Sequence, residues 1–361
     1  MLERYKITMT SIFNDDYSIH FQEQVYTELN AHVAIQQPST IFVLVDENTM
    51  AHCYPYFIAR LETTARIEVI EIDAGETYKT IDTCVGVWSA LVELGCDRNS
   101  LLINLGGGVI TDLGGFIGST IKRGIPFIHV PTSLLAMVDA AIGGKNGVDL
   151  GNLKNQIGVI NTPIMTLIDV TFLKTMSHRE LVNGSIEMFK HGLIADRAYW
   201  EDMKENVDYT STTFAHLVYQ SVLIKNEIAS SDPLENGARK ALNYGHTIGH
   251  AIESYCMAHD EEPELLHGEA VAAGILIESF LSMHICGLSQ EAYDNIKAWY
   301  VGLDLNLSFS LDAITTMLEL MKHDKKNVNG EIRFVLLERI GQFKVDVTAS
   351  EALVRRAFEE L

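Results

Sequence analysis

A change of texture along the chain constrains the fold most. Up to about residue 175, short β-branched runs alternate with helical stretches; beyond it the β-runs stop and helical periodicity dominates. Thr40-Ile-Phe-Val-Leu-Val-Asp46, Arg66-Ile-Glu-Val-Ile-Glu-Ile-Asp73, Leu101-Leu-Ile-Asn-Leu105, Pro126-Phe-Ile-His-Val130 and Ile164-Met-Thr-Leu-Ile168 read as strands, with an amphipathic helix over 81–94. Strands alternating with helices imply a parallel sheet covered on both faces. The second half is predicted helical at 179–195, 212–230, 238–257, 267–286, 288–300 and 311–322, with Ile332-Arg-Phe-Val-Leu-Leu337 as its one clear strand-like piece. At 361 residues the chain is long for one core. The pattern predicts an α/β N-terminal domain with a Rossmann-like parallel sheet over 1–177 and a mostly helical, all-α C-terminal domain over 178–361.

Charge narrows the partners. A net charge of −21 argues against nucleic acid and anionic membrane. The start, Met1-Leu-Glu-Arg-Tyr-Lys6, lacks the apolar core of a secretion signal, and no apolar run is expected to reach the roughly 18 residues of a membrane span. The 5 cysteines are scattered and never in Cys-x-x-Cys, which suits buried thiols in a reducing cytoplasm. An anionic substrate would need a local basic cluster to overcome the global field.

Metal-ligating residues gather in the second half. In Asn243-Tyr-Gly-His246-Thr-Ile-Gly-His250-Ala-Ile-Glu253, the i, i+4 spacing puts both imidazoles on one side of a helix. An isolated pair of this kind is read equally well as two satisfied helix histidines. Glu187 and His267 complete a candidate set with His246, and two histidines plus one carboxylate leave the open position that a catalytic zinc needs. His191, four residues after Glu187, is a rival ligand on spacing alone.

The first half holds a glycine-rich turn, Leu105-Gly-Gly-Gly108-Val-Ile-Thr-Asp112-Leu-Gly-Gly115, between a strand and a helix. Such glycines let backbone N–H groups approach a pyrophosphate at the positive helix end. The Gly-x-Gly-x-x-Gly fingerprint is absent, so a tight turn with a smooth packing face is an equal reading. Asp46 at the end of the first strand can accept from ribose hydroxyls, and Gly75-Glu76-Thr-Tyr-Lys79 follows the second. Lys145, Lys154 and Asn155, on what read as glycine-rich loops, form a candidate phosphate cradle; solvated turns with surface lysines are the bland alternative. Arg123, Lys190, Lys225, Arg239 and Asp324-Lys325-Lys326 add further cations.

Taken together, Gly106-Gly-Gly-Val-Ile-Thr-Asp112, Arg123-Gly-Ile-Pro-Phe-Ile-His-Val-Pro-Thr-Ser133, Met137-Val-Asp139-Ala-Ala-Ile-Gly-Gly-Lys145, Lys154-Asn155-Gln-Ile-Gly, Glu187-Met-Phe-Lys190-His-Gly, the His246 segment, Leu266-His267-Gly-Glu and Asp324-Lys325-Lys326 resemble the 3-dehydroquinate synthase family of sugar phosphate cyclases. The resemblance implies a homodimeric phosphate lyase dependent on NAD and on Zn2+ or Co2+. It implies conversion of 3-deoxy-D-arabino-heptulosonate 7-phosphate to 3-dehydroquinate and phosphate by transient oxidation, β-elimination, re-reduction and aldol closure.

Carried over motif by motif, the resemblance implies metal on Glu187, His246 and His267, with His250 instead near the phosphate and in proton transfer. Lys145, Asn155, Arg123 and Lys325 would surround the phosphate, Arg123 from across the dimer. Lys225, Arg239 and Asn243 would hold the substrate carboxylate, and Asp139 and Lys190 would line the reacting ring. Asp46, Glu76, Lys79, Gly107, Gly108, Asp112, Thr132, Ser133, Lys145, Lys154, Phe172 and Thr175 would bind NAD. Asn146 stands where the family usually has Thr, Gly184-Ser185-Ile186 replaces the usual lead-in to the glutamate, and Ser133 replaces a second Thr. Rival readings are a sibling cyclase, a metal-dependent polyol dehydrogenase and a nucleotide-binding scaffold.

Overall fold

The computed structural model describes residues 9–151, 153–205, 207–259, 261–322 and 331–361. The chain divides into two compact units, Met1–Leu181 with Asp208–Asn226, and Val182–Val207 with Glu227–Leu361.

The first unit opens with β1 (Ile12–Phe13), β2 (Ser18–Phe21) and α1 (Glu23–Gln36). Then follow β3 (Thr40–Asp46), α2 (Glu47–His52), α3 (Tyr54–Ile58), β4 (Arg66–Ile72), α4 (Ile81–Glu93), β5 (Leu101–Gly106), α5 (Gly108–Thr120) and β6 (Phe127–Pro131). A hairpin, β7 (Lys145–Leu150) with β8 (Leu153–Ile160), precedes β9 (Met165–Ile168). One sheet runs in the order β1-β2-β9-β6-β5-β3-β4, parallel throughout except for the β1–β2 pair. All five expected strands are present.

The sheet is parallel because its strands can be buried on both faces. β3 is buried from Thr40 to Val45, and Phe42 and Leu44 pack with Leu102, Leu91, Leu113 and Ile117. Each such side chain contributes about 1.5–3 kcal/mol. Val43 pairs with Val69 of β4 on one edge and Ile103 of β5 on the other. The order in which successive strands are added therefore reverses between β3 and β5, and ligands of open α/β sheets bind beyond the carboxyl ends at such a point. Asp46 and Gly106 end these two strands.

Two glycines let α5 lie close on β5 of the sheet and on the β7–β8 hairpin. A Cβ on Gly114 would fall 2.1 Å from Asn104 Oδ1, and one on Gly115 would fall 1.9 Å from Asn146 Oδ1. Asn104 Nδ2 donates to His129 Nδ1 at 3.2 Å. Burial pushes the His129 imidazole down to about 3, so this packed polar layer is neutral.

The helical half comprises α6 (His178–Ala195), α7 (Arg197–Glu205), α8 (Thr212–Ser231), α9 (His246–Met257), α10 (His267–Ile285), α11 (Gln290–Val301) and α12 (Leu311–Lys322). An antiparallel hairpin, β10 (Phe334–Arg339) with β11 (Gln342–Val347), and α13 (Glu351–Ala357) complete the chain. Two expectations are corrected here. The helix expected over 238–257 is a 3-10 turn, Ala238–Asn243, followed by α9, because the chain turns at Gly245 with φ +80°. The other concerns α10, which is long and apolar enough, with a mean hydropathy of 1.3, to pass as a membrane span. Its composition has another cause: every residue from Gly268 to Ser282 is buried, and α10 packs against α9, α11, α13 and β10. A helix apolar all round fits such a central position.

Candidate functional site

Glu187 lies mid-way along α6 with its side chain fully buried, 0% exposed. Lys190, one turn on and equally buried, forms an ion pair with Oε2 and donates to the Leu242 carbonyl at 2.7 Å. Apart from that ion pair, neither oxygen of Glu187 has a hydrogen-bond partner. Oε1 instead faces two imidazoles, with His246 Nε2 at 3.4 Å and His267 Nε2 at 3.9 Å. Tetrahedral ligands about 2.0–2.1 Å from a zinc-sized ion stand about 3.3–3.4 Å from one another. An orphaned buried carboxylate oxygen facing two Nε2 atoms therefore fits a divalent cation.

The tautomers suit that use. His246 Nδ1 lies 3.1 Å from the Tyr244 carbonyl and His267 Nδ1 lies 3.3 Å from Glu253 Oε2. An acceptor at each Nδ1 keeps its proton there and turns the Nε2 lone pair toward Glu187. His250 stands beside them, with ring centroids 5.2 Å from His246 and 5.7 Å from His267. The three histidines bring ligand atoms within 4.8 Å of one another. His191 also brings a ligand atom within 4.8 Å of Glu187.

Local packing explains why α6, α9 and α10 deliver these groups to one place. A Cβ on Gly274 would sit 1.9 Å from the Gly245 carbonyl oxygen, and one on Gly249 would sit 3.0 Å from Val271 Cα. Glycine at these positions brings α9 and α10 nearly into backbone contact. Glu278, buried in α10, accepts from Gly245 N at 2.8 Å and Ile248 N at 3.4 Å. It thus anchors the turn before His246 and the positive end of α9. Asn183 of α6 accepts from Gly268 N at 2.6 Å, fixing the first turn of α10 beside His267. Sequence reasoning missed Asn183, Glu253 and Glu278 as supports. Glu253 carried a usable signal, since it stands two helical turns after His246 on the same face, and Glu278 is a lone carboxylate late in an apolar helix.

Of the expected carboxylate-binding groups in this unit, Arg239 is 1% exposed and its Nη1 donates to the Pro233 carbonyl at 2.9 Å. Asn243 Nδ2 donates to Glu235 Oε1 at 2.6 Å. Between them in sequence, Lys240 pairs its ammonium with Asp346 at 2.7 Å.

The first unit gathers a second constellation. Lys79 Nζ donates to Asp112 Oδ2 at 2.6 Å and Asn155 Oδ1 at 2.8 Å, with Glu76 3.9 Å away. Lys154 reaches the same Glu76 at 3.6 Å. Burial works against the Lys79 charge, but Asp112 and then Glu76 outweigh it and hold its pKa above the usual lysine value. Burial pushes the Asp112 carboxyl up to about 6 against the pull of Lys79. Gly107 caps α5, and a Cβ there would fall 3.3 Å from Ser133 Oγ. Thr132 N donates to Gly106 O at 3.0 Å. The glycine turn, Thr132 and Ser133 thus form one wall at the positive end of α5.

Asp46 accepts from Thr49 N at 2.8 Å and so caps α2. Phe172 is buried, and Thr175 Oγ1 donates to its carbonyl at 2.8 Å. Asp139 forms an ion pair with Lys225. The supposed loops carrying Lys145, Lys154 and Asn155 are corrected to the β7–β8 hairpin; Gly-Gly before Lys145 supplies only its entry turn. Arg123 is exposed after α5 at φ 68°, and among the described residues no hydrogen bond or ion pair joins it to another expected site residue. Lys325 lies outside the described residues.

Residues 69–183 match the family model for 3-dehydroquinate synthase N-terminal and residues 184–327 that for 3-dehydroquinate synthase C-terminal. A 3-dehydroquinate synthase of Parabacteroides distasonis is 38% identical over 335 residues, covering 92% of this chain and 94% of that protein. Among solved structures, 2-epi-5-epi-valiolone synthase from Streptomyces hygroscopicus subsp. jinggangensis, with NAD+ and Zn2+ bound, superposes with a TM-score of 0.84 at 23% identity over 96% of both chains. A 2-deoxy-scyllo-inosose synthase complexed with carbaglucose-6-phosphate, NAD+ and Co2+ gives 0.81 at 21% identity, covering 96% of this chain and 97% of that one. The two structures share the fold, and the sequence matches settle the family: this chain belongs to the 3-dehydroquinate synthases.

Proposed function

We propose that the chain is a 3-dehydroquinate synthase, releasing phosphate from 3-deoxy-D-arabino-heptulosonate 7-phosphate and closing the carbocycle of 3-dehydroquinate. The structural observation that carries the reading is Glu187 Oε1, buried without a hydrogen bond and facing His246 Nε2 and His267 Nε2. When bound, Zn2+ or Co2+ at these three residues supplies a Lewis acid for a substrate hydroxyl and ketone, and NAD supplies a reversible hydride acceptor.

This chain's residues supply position and charge. Lys190 neutralises Glu187 and, with Asp139, lines the reacting ring. Lys225, Arg239 and Asn243 hold the substrate carboxylate. Lys145, Asn155, Arg123 and Lys325 surround the phosphate, and His250 moves a proton there. A charged hydrogen bond of this kind contributes about 1.5–3 kcal/mol, so several offset the repulsion between an anionic substrate and a chain of charge −21. Gly107 and Gly108 offer backbone N–H groups to the NAD pyrophosphate; Asp46, Glu76, Lys79, Asp112, Thr132, Ser133, Lys154, Phe172 and Thr175 bind the rest. The domain assignment that goes with this is NAD-binding over 1–177 and metal-binding over 178–361. The enzyme works as a homodimer in the cytoplasm, without nucleic-acid or membrane partners.

Phosphate release should be measured with the heptulosonate phosphate and with other sugar phosphates while NADH absorbance is followed. Release from the heptulosonate phosphate alone, with no net NADH, is expected. Preference for another sugar phosphate would make the enzyme a sibling cyclase, and net NADH from a simple polyol would make it a dehydrogenase.

A further inference from the structure

We infer that Glu253 is a positioning residue for His267: its carboxylate takes the Nδ1–H hydrogen bond and thereby aims Nε2 at Glu187. The inference deepens the metal reading and rests on it.

The two imidazoles facing Glu187 are held very differently. The His246 side chain is 10% exposed and its Nδ1 is fixed by a main-chain carbonyl two residues back, at 3.1 Å. The His267 side chain is 26% exposed and is the first residue of α10, with no preceding helical turn to pack its ring. Backbone geometry therefore holds the His246 ring more closely than the His267 ring. Glu253 Oε2, 3.3 Å from His267 Nδ1, holds that ring through its side chain.

That carboxylate is itself well placed for the task. Its side chain is 5% exposed, so it has little freedom to follow a wandering ring. It lies on α9 two turns beyond His246 and one beyond His250, on the same face, so a single helix presents both a candidate ligand and the orienting group for the next ligand. A carboxylate on the distal imidazole nitrogen fixes the tautomer and raises the basicity of the ligating one. Loss of such a partner typically weakens metal binding about 10–100-fold.

The test uses the full-length protein stripped of metal. Zinc affinity is read by competition with a chromophoric chelator, and geometry by the visible absorption of the Co2+ form. Glu253→Gln should bind zinc roughly 10–100-fold more weakly, alter the Co2+ spectrum and leave far-UV circular dichroism unchanged. In a His267→Ala background the same change should cost nothing further, because Glu253 acts through that ring. Wild-type zinc affinity in Glu253→Gln, or an equal loss in both backgrounds, overturns the proposal. Wild-type affinity in His267→Ala alone would instead sink the metal assignment on which it stands.

Should Glu253→Gln fail to fold, nitrogen NMR of the intact metal-free protein decides. His267 protonated at Nδ1 supports the proposal; His267 protonated only at Nε2 refutes it.

Discussion

Gly274 presses against Gly245: a Cβ on the first would lie 1.9 Å from the carbonyl oxygen of the second. This contact sets how near α9 and α10 run, and hence whether His246 and His267 can face one carboxylate. Gly274→Ala must therefore push the helices apart. Overpacking of this kind costs about 1–3 kcal/mol, and backbone-to-backbone overlap belongs at the upper end. Thermal unfolding should show a clear drop in midpoint, and zinc affinity should fall with it. An unchanged midpoint would mean that the helix approach is not set here.

Removal of the carboxylate at the centre of the site should separate two effects. Glu187→Gln keeps the shape but removes the charge that pairs with Lys190, whose side chain is 1% exposed. Breaking one side of a buried pair costs about 3–5 kcal/mol. The expected result is loss of bound zinc by elemental analysis, loss of turnover, and lower stability even of the metal-free protein. Adding Lys190→Met should recover part of the stability but none of the zinc. Recovery of neither would place the cost elsewhere than in the stranded ammonium.

Much of this was legible in the sequence, for physical reasons that differ from element to element. β3 was readable because it is buried on both faces and so had to be apolar without interruption. The β7–β8 hairpin was not, since Lys145-Asn146-Gly147 alternates neither in polarity nor in β-propensity and is fixed by cross-strand pairing with Val159 and Gly158. The break before α9 was hidden because helical periodicity continues through Gly245; what ends the helix is the close approach of α10, a tertiary fact. The residues around the histidines divide in the same way. His246 and His250 announce themselves by spacing, whereas Glu187, 59 positions before His246, is brought in by Asn183 holding the start of α10. The assignment of 208–226 to the first unit had no local signal, because a helix looks the same whichever core it joins.

Acidity in the Lys79 cluster gives a pH test. The Asp112 carboxyl is pushed up to about 6, first by burial, with Lys79 pulling it down. An unfolded aspartic acid titrates near about 3.9, so the folded chain binds this proton more tightly. The group's contribution to stability is therefore present below about pH 4 and is lost as pH rises through about 6. Carbon NMR of the Asp112 carboxyl should show a midpoint near 6. In Lys79→Met the pull is gone and the midpoint should move higher. A lower midpoint in that variant would mean that Lys79 does not stabilise the carboxylate.

Arg239 separates binding from metal retention. Its guanidinium is 1% exposed and already anchored through Nη1 to the Pro233 carbonyl at 2.9 Å, so the fork is pre-oriented for a carboxylate. Full truncation would empty the buried space that Arg239 fills and confuse folding with function, which makes Arg239→Lys the cleaner change. Lysine keeps the charge and loses the planar two-pronged geometry. Losing one charged hydrogen bond of about 1.5–3 kcal/mol should raise KM for the heptulosonate phosphate roughly ten- to hundred-fold. Zinc content should stay at the wild-type level, because the groups proposed to hold the metal are Glu187 Oε1 and the two imidazoles that face it, and Arg239 is none of them. Loss of zinc with an unchanged KM would assign Arg239 to the metal centre and remove it from substrate recognition.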